Sequence, residues 1–263
     1  MEIVVLVKRV PDTNDADIVV APGRKDIRTE DMPWDINEWD NFAMEEAVRL
    51  KEEQGGNVTA ITVGPEDAED VLRHCIALGA DTAVRIEDPS LAGSDPYATS
   101  VVLAAAVKRI PFDLVLAGMM GSDDGDGQVG GNVAQLLGIA HATQVLGLEM
   151  DGRTAHVRRE LEGGLEEKVD LQLPALITVQ TGINEPRYVP IAGIRRAARK
   201  EIELPSLTDL GISPDQVGSS GARVEVEEVF LPEESEKGEI LSGSTEAVVE
   251  QLASLIASRG WLR

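Results

Sequence analysis

The chain has 263 residues, 43% of them hydrophobic and 27% charged, a composition typical of a globular protein with one large or two modest domains. Its net charge of −23 argues against nucleic acid and anionic membranes as partners, because both are bound through positive charge. Its aromatic content of only 3% also argues against a surface on which nucleic-acid bases stack. No apolar run approaches membrane-spanning length, and a strand pattern begins at once and leaves no room for a signal peptide, so we expect a cytoplasmic protein.

The first 140 residues or so alternate short apolar runs with helical patterns. This alternation predicts a doubly wound α/β domain with a mostly parallel sheet and right-handed connections. Strands are predicted at residues 3–7, 58–63, 83–86 and 112–118, with a further short edge strand at 18–20, and helices at about 38–54, 66–78 and 96–109.

The first predicted helix has a clear beginning and end in the sequence. Asn37 is placed to be its N-cap, with Asp40 completing a capping box, and the glycine pair at 55–56 ends it. Glu45 and Arg49 are spaced to form an i,i+4 ion pair on its surface.

The central feature of the sequence is a loop rich in Gly and Asp at residues 118–131, between a predicted strand and a helix that begins at Asn132. A glycine loop before a helix N-terminus predicts an anion site, because the backbone can approach a ligand and free N–H groups face it. The loop contains no Lys and lacks the GxGxxG spacing, so neither common phosphate motif applies. Its acids suit ribose hydroxyls better than bare phosphate, and the alternative interpretation is a solvated acidic turn.

In a doubly wound sheet, ligands bind beyond the carboxyl ends of the strands. This rule brings four loops to one edge and favours the nucleotide site over the solvated turn. The loops are residues 8–12, 63–66, 87–96 and 118–130.

From residue 143 the hydrophobic pattern changes to strict alternation, which predicts an antiparallel meander over 143–173 followed by a buried strand at 174–179. Two prolines then force an ordered, non-helical excursion at 182–190. A cluster of basic residues within 191–200 fits either a helix complementing its own dipole or a surface for an acidic partner.

The C-terminal part is predicted to be an extended arm, so we divide the chain into an α/β domain at 1–203 and an arm at 204–263. Within the arm, residues 204–222 have the composition of a linker, 223–231 predict one more strand, and 232–243 are acidic and flexible. The arm ends in an amphipathic helix that carries Val248, Leu252, Leu255 and Ile256 on one face, a pattern typical of a segment that docks elsewhere.

Few residues are candidates for catalysis. Cys75 is the only cysteine and lies on the apolar side of a helical pattern, which favours a buried structural thiol. The three histidines lack metal-ligand spacing. The sequence therefore predicts no catalytic residue and no metal site.

Six segments together resemble the β subunit of electron transfer flavoproteins, the family that includes the nitrogen-fixation protein FixA. The likeness extends over nearly the whole chain, and the tail is more similar to the FixA-like and electron-bifurcating branch than to the mitochondrial carriers. The segments are residues 7–12 (VKRVPD), Asn37 with 43–51 (AMEEAVRLK), 79–81 (GAD), 159–164 (RELEGG), 184–188 (NEPRY) and 194–197 (IRRA).

The resemblance implies a heterodimeric electron carrier, not an enzyme, in which FAD lies mainly on an α subunit and the β subunit binds a second nucleotide, either AMP or another FAD. The central loop departs from the family at Met119 and Met120, where a basic residue and Gln are usual. By resemblance, the nucleotide of this subunit contacts Leu6, Asn37, Glu38, Trp39, Asp40, Val63, Gly118, Met119, Met120, Gly121, Ser122, Asp123, Asp124, Gly125, Asp126, Gly127, Gln128 and Val129.

The resemblance also implies partners: the α subunit, flavin dehydrogenases and a quinone oxidoreductase. The family's docking loop corresponds to Ile183, Asn184, Glu185, Pro186, Arg187 and Tyr188, with Ile183 as its apolar anchor, and Glu160 corresponds to a hinge-region glutamate.

Two other functions are compatible with parts of the sequence. A stand-alone ATP- or AMP-binding module of the universal stress protein type nearly matches the glycine spacing but leaves everything after about residue 142 unexplained. An adenylating enzyme of the ATP-pyrophosphatase type is disfavoured because no SGGxDS-like loop follows the first strand.

Overall fold

The structure is a computed structural model that describes residues 1–14, 16–232, 238 and 240–261. The strands are β1 (Glu2–Leu6), β2 (Arg9–Pro11), β3 (Trp34–Ile36), β4 (Asn57–Val63), β5 (Thr82–Ile86), β6 (Leu114–Gly118), β7 (Ala140–Asp151), β8 (Thr154–Leu161), β9 (Leu165–Gln172) and β10 (Ala175–Val179). The α-helices are α1 (Glu38–Gln54), α2 (Glu69–Leu78), α3 (Pro96–Lys108), α4 (Val129–Leu137), α5 (Ile191–Ala197), α6 (Gly218–Gly221) and α7 (Thr245–Ser258).

Eight strands form one sheet in the order β5-β4-β1-β6-β10-β7-β8-β9. The first six are parallel neighbours, and β8 and β9 extend the sheet as an antiparallel meander. The predicted α/β class and the meander are therefore confirmed. The chain proceeds from β1 outward through β4 and β5 and then returns to place β6 on the other side of β1. The topological switch point, where such sheets bind ligands, lies between β1 and β6.

The side chains of β1 divide the interior into two cores because successive residues of a strand point to opposite faces. Ile3 and Val5 join α1 and α2 in the first core, and Val4 and Leu6 join α3 and α4 in the second. Cys75 is fully buried in the first core, where burial raises the pKa of its thiol, so the prediction of a buried structural thiol is confirmed.

Two local predictions in the first half are wrong, and one pair of strands was missed. Residues 18–20 form no strand, and only an isolated bridge joins Val20 to Ile27. The sequence missed the short antiparallel pair β2–β3, whose strands have three residues each. Helix α4 begins at Val129, not at Asn132, so the glycine pair 130–131 lies inside the helix.

The C-terminal part is more closely attached than its composition indicates. Residues 204–222 are not a free linker, because Leu207, Ile212 and Val217 are buried in the second core. Residues 223–231 form no strand. They contact the segment around Val20 to Ile27, where the N–H of Val229 donates to the carbonyl of Arg24 at 2.8 Å. The domain division at residue 203 stays a prediction.

Helix α7 is confirmed, but it buries no residue. Half of the segment 232–243 that was predicted to be flexible, namely 233–237 and 239, lies outside the described residues. No helix in the described ranges is long and apolar enough to cross a membrane.

Candidate nucleotide site

The start of helix α1 lies at the switch point and fastens the glycine loop to the end of β1. The backbone N–H of Asn37 donates to the carbonyl of Lys8 at 2.9 Å. Its side-chain amide donates to the carbonyl of Met120 at 2.9 Å and accepts from the N–H of Ser122 at 3.0 Å. Asn37 occupies the N-cap position as predicted, but its side chain makes no cap hydrogen bond because it holds the loop instead.

Asp40, one turn into the helix, joins the ends of the two central strands. Its carboxylate accepts from the N–H of Lys8 at 2.7 Å and from the N–H of Gly118 at 2.8 Å. The predicted capping box is therefore wrong, since this carboxylate faces the strand ends. Asp40 is only 5% exposed, and burial raises its pKa to about 7 although the two amide donors act in the opposite direction.

Glycines are required where the loop approaches helix α1 and where it turns. A Cβ on Gly118 would lie 2.6 Å from the Cβ of Trp39, which no side chain tolerates. Gly125 and Gly127 adopt φ values of +65° and +62°, the left-handed region that favours glycine. Gly130 faces Thr178 so closely that a Cβ would collide with its methyl group, which explains how a glycine lies within α4.

Lys8 also lies in the candidate site, although the resemblance does not imply a role for it. Its ammonium contacts Asp123 at 2.7 Å and Asp124 at 2.6 Å. Burial lowers the pKa of Lys8, but the hydrogen bonds and charges of the two aspartates outweigh this, and the net pKa is raised. The position of Lys8 directly beyond a strand end, in the edge loop 8–12, is the signal that could have identified it.

Of the other edge loops, 63–66 lies beside β5, where the N–H of Gly64 donates to the carbonyl of Ile86 at 3.0 Å. Loop 87–96 packs mainly against the start of the C-terminal segment, since Ser94 accepts from the N–H of Gly218 at 2.9 Å. Leu6 and Val63 lie at the carboxyl ends of neighbouring parallel strands, at the edge where Asn37 to Asp40 and the glycine loop meet.

A chain of side chains connects this edge to the meander. The indole of Trp39 donates to the amide oxygen of Gln180 at 2.7 Å, and the amide nitrogen of Gln180 donates to Glu160 at 3.3 Å. Glu160, which the resemblance relates to a hinge region and to partner binding, therefore lies next to residues of the candidate nucleotide site. Gln180 was missed by sequence reasoning.

The excursion 182–190 lies along the middle of helix α1. Arg187 forms paired hydrogen bonds to Glu45, at 2.9 Å from both Nε and Nη2, and also contacts Glu52 at 2.6 Å. These bonds raise the pKa of Arg187 above its usual value. The predicted pair of Glu45 with Arg49 is wrong, because Glu45 binds Arg187 and Arg49 instead contacts Glu46 at 3.4 Å.

The same excursion presents side chains to solvent. Asn184 holds its start by donating to the carbonyl of Phe42 at 3.1 Å and to Glu46 at 2.9 Å. Ile183 is half-buried against the first core. Glu185 is exposed and Pro186 is half-buried, while Tyr188 is 99% exposed. A segment this firmly held is a rigid surface feature.

The site combines hydrogen-bond donors with carboxylate acceptors. The first N–H groups of any helix lack partners within it, so those of α4 are available to an anion such as phosphate. Asp123, Asp124 and Asp126 provide acceptors for hydroxyl groups such as those of ribose. The residues present therefore fit a nucleotide, and no cluster of His, Cys, Asp and Glu in the described part of the chain could hold a metal ion.

The fold places the chain among doubly wound α/β proteins, a class in which ligands bind at the switch point. A family model described as "Electron transfer flavoprotein domain" matches residues 26–210. The chain belongs to the electron transfer flavoprotein family.

Relatives that match over nearly their whole length support this assignment. The electron transfer flavoprotein subunit beta of Bacillus subtilis is 39% identical, with 98% of each chain covered. Protein FixA of Azotobacter vinelandii is 35% identical over 96% of this chain and 92% of its own. The caffeyl-CoA reductase-Etf complex subunit CarD of Acetobacterium woodii is 35% identical, with 98% and 97% covered. These comparisons favour the electron-transfer interpretation and give no support to the stress-protein alternative.

Replacing Asp40 with Asn tests the buried carboxylate through the pH dependence of stability. The pKa of Asp40 is about 7 when folded, against about 4 for an unfolded Asp, so the folded state retains a proton that the unfolded state releases. The contribution of Asp40 to the free energy of unfolding is therefore fully present below about pH 4 and is lost as the pH rises through about 7.

The quantity to measure is the difference in unfolding free energy between wild type and Asp40→Asn, from urea titrations across this pH range. We expect the wild-type advantage to decline between about pH 4 and 7 and to stay constant above. Asp17→Asn, at an exposed position, controls for the loss of one negative charge. A difference that changes only below about pH 4 would contradict the raised pKa.

Proposed function

We propose that this chain is the β subunit of a heterodimeric electron transfer flavoprotein. With an α subunit it carries electrons between flavin dehydrogenases and a quinone-reductase or ferredoxin-type acceptor. The observation that carries the proposal is the glycine loop fastened by Asn37 and Asp40 to the ends of β1 and β6, in a chain that matches this family over nearly its whole length.

In this proposal the redox chemistry is supplied by FAD shared with the α subunit, and the residues of this chain bind and orient. The glycine loop holds one nucleotide, either AMP or a second FAD. Its ribose hydroxyls donate hydrogen bonds to loop carboxylates, and its phosphate accepts hydrogen bonds from the N–H groups at the start of α4. Because this loop accounts for one nucleotide only, the isolated chain is expected not to hold the shared FAD.

The nucleotide content of purified protein tests the proposal. Co-expression with the α subunit should give a yellow heterodimer, and extraction should yield FAD together with one further nucleotide per dimer. The chain expressed alone should purify colourless. A colourless homodimer containing ATP would contradict the proposal. Stoichiometric FAD on the isolated chain would indicate that the loop binds FAD and not AMP.

The C-terminal helix is proposed to dock on the α subunit. Leu252 and Leu255 on its apolar face are 46% and 45% exposed, and the helix buries no residue against the rest of the chain. A tethered apolar face left in water is a liability, and burying each such side chain contributes roughly 1.5–3 kcal/mol before ordering costs.

Deleting residues 232–263 should separate assembly from folding. The melting temperature of the truncated chain should remain within a few degrees of wild type, because the deleted helix contributes nothing to either core. Its affinity for the α subunit, measured by analytical ultracentrifugation, should fall by about tenfold or more. Unchanged association would contradict docking by this helix.

The excursion 182–190 is proposed to be the docking loop for partner dehydrogenases. Supporting observations are its attachment to α1 through Arg187 and Asn184 and the half-exposed side chain of Ile183. A loop already ordered in the free protein loses little entropy on binding.

Ile183→Ala should slow electron transfer from a partner dehydrogenase by about tenfold, because an apolar anchor is lost. FAD content should stay the same, and the unfolding free energy should fall by less than roughly 2 kcal/mol because the side chain is only half-buried.

Two variants control this measurement. Leu165→Ala, at an exposed apolar position on the meander, should change neither the electron-transfer rate nor the unfolding free energy. Ile177→Ala, fully buried in the first core, should cost roughly 2–5 kcal/mol of stability. If Ile183→Ala resembles Ile177→Ala, then Ile183 is a core residue and not a docking anchor.

A further inference from the structure

The backbone of Lys8 is fixed by hydrogen bonds on both sides, and its side chain is left to contact other residues. Its backbone N–H donates to Asp40 at 2.7 Å, and its carbonyl accepts from the N–H of Asn37 at 2.9 Å. The side chain extends from the end of β1 to the glycine loop, more than 110 residues away in the chain. There its ammonium group donates hydrogen bonds to both Asp123 and Asp124.

The three charged groups meet above Gly121, where a Cβ would lie 3.1 Å from the ammonium nitrogen and 3.0 Å from Asp124. The loop 118–131 carries three aspartates and contains no Lys, Arg or His of its own. Asp126 experiences this charge density: burial and then the charge of Asp124 raise its pKa, while Lys8 acts in the opposite direction.

A phosphate at this loop therefore faces carboxylates that repel it. With both aspartates unpaired, repulsion between them and from the ligand would oppose nucleotide binding. One ammonium shared by two carboxylates offsets part of that charge and also fixes their position through charge-assisted hydrogen bonds.

We propose that Lys8 is a positioning residue of the nucleotide site: it holds Asp123 and Asp124 at the end of β1 and supplies the positive charge that lets an acidic loop accept a nucleotide phosphate. This inference rests on the proposed function. It adds a residue that acts through the glycine loop. It also predicts that the loss of nucleotide affinity on removing the Lys8 charge becomes smaller as the salt concentration rises.

The experiment uses the heterodimer with its α subunit, stripped of nucleotide, and AMP as the probe. At about 50 mM KCl, where charges are weakly screened, Lys8→Gln should bind AMP about tenfold more weakly than wild type. At about 1 M KCl the defect should shrink to about twofold, because it is electrostatic and is screened. Lys8→Arg, which keeps the charge, should restore most of the affinity at both concentrations.

Lys168→Gln is the matched control, since it removes one ammonium from an exposed position on β9. It should bind AMP like wild type at both salt concentrations. Melting curves of all variants show whether each is folded. Hydrogen exchange of residues 118–128 should be faster in Lys8→Gln than in wild type, an outcome that does not depend on the ligand.

Two results would overturn the inference alone: equal AMP affinity in wild type and Lys8→Gln, or a defect that persists undiminished at high salt. The second would mean that Lys8 does not act through its positive charge. If the wild-type heterodimer itself binds no AMP, the AMP form of the proposed nucleotide site fails and the inference fails with it.

Discussion

The structure depends on one buried carboxylate that joins two strand ends. Asp40 accepts from backbone N–H groups at the ends of β1 and β6, the strands on either side of the switch point. Hydrogen bonds to a charged acceptor contribute about 1.5–3 kcal/mol each, but removing water from the carboxylate costs much of that. The raised pKa of Asp40 shows that burial outweighs the hydrogen bonds to its charged form. What the carboxylate secures is geometry: the glycine loop leaves β6 at a fixed point against helix α1.

The same helix also fixes a second segment, the excursion 182–190. Its first turn holds the glycine loop through Asn37, and its middle holds the excursion 182–190 through Glu45 and Glu46. The second attachment involves the buried carboxylates of Glu45 and Glu46, for which removing one partner is costly. A rigid helix thus sets the spacing between the proposed nucleotide site and the proposed docking loop. Gln180 adds a connection between this helix and the meander.

The sequence predicted the elements that arise from local patterns and missed those that depend on distant residues. Continuous apolar runs identified the central strands because both faces are buried, and alternation identified the meander. Glu45 was assigned to Arg49 by helical spacing, but its partner Arg187 lies 142 residues away. The start of α4 was placed too late because glycine disfavours helices, and only the close contact with Thr178 explains Gly130. For the site, the glycine loop and the edge loop that contains Lys8 were predicted. The pairing of Lys8 with Asp123 and Asp124 and the contacts of Gln180 depend on the fold.

The distribution of apolar residues in the C-terminal part follows from where the chain is anchored. Up to Val217 the segment still buries side chains in the second core. Asp95 then accepts from the N–H groups of Arg223 and Val224 at 2.7 and 3.1 Å, and the guanidinium of Arg223 lies 3.7 Å from the ring of Tyr97. Beyond this anchor, the large apolar side chains Val224, Val226, Phe230 and Leu231 are exposed. A chain that is fixed at its root and then presents successive apolar side chains to solvent has a surface suited to a second subunit.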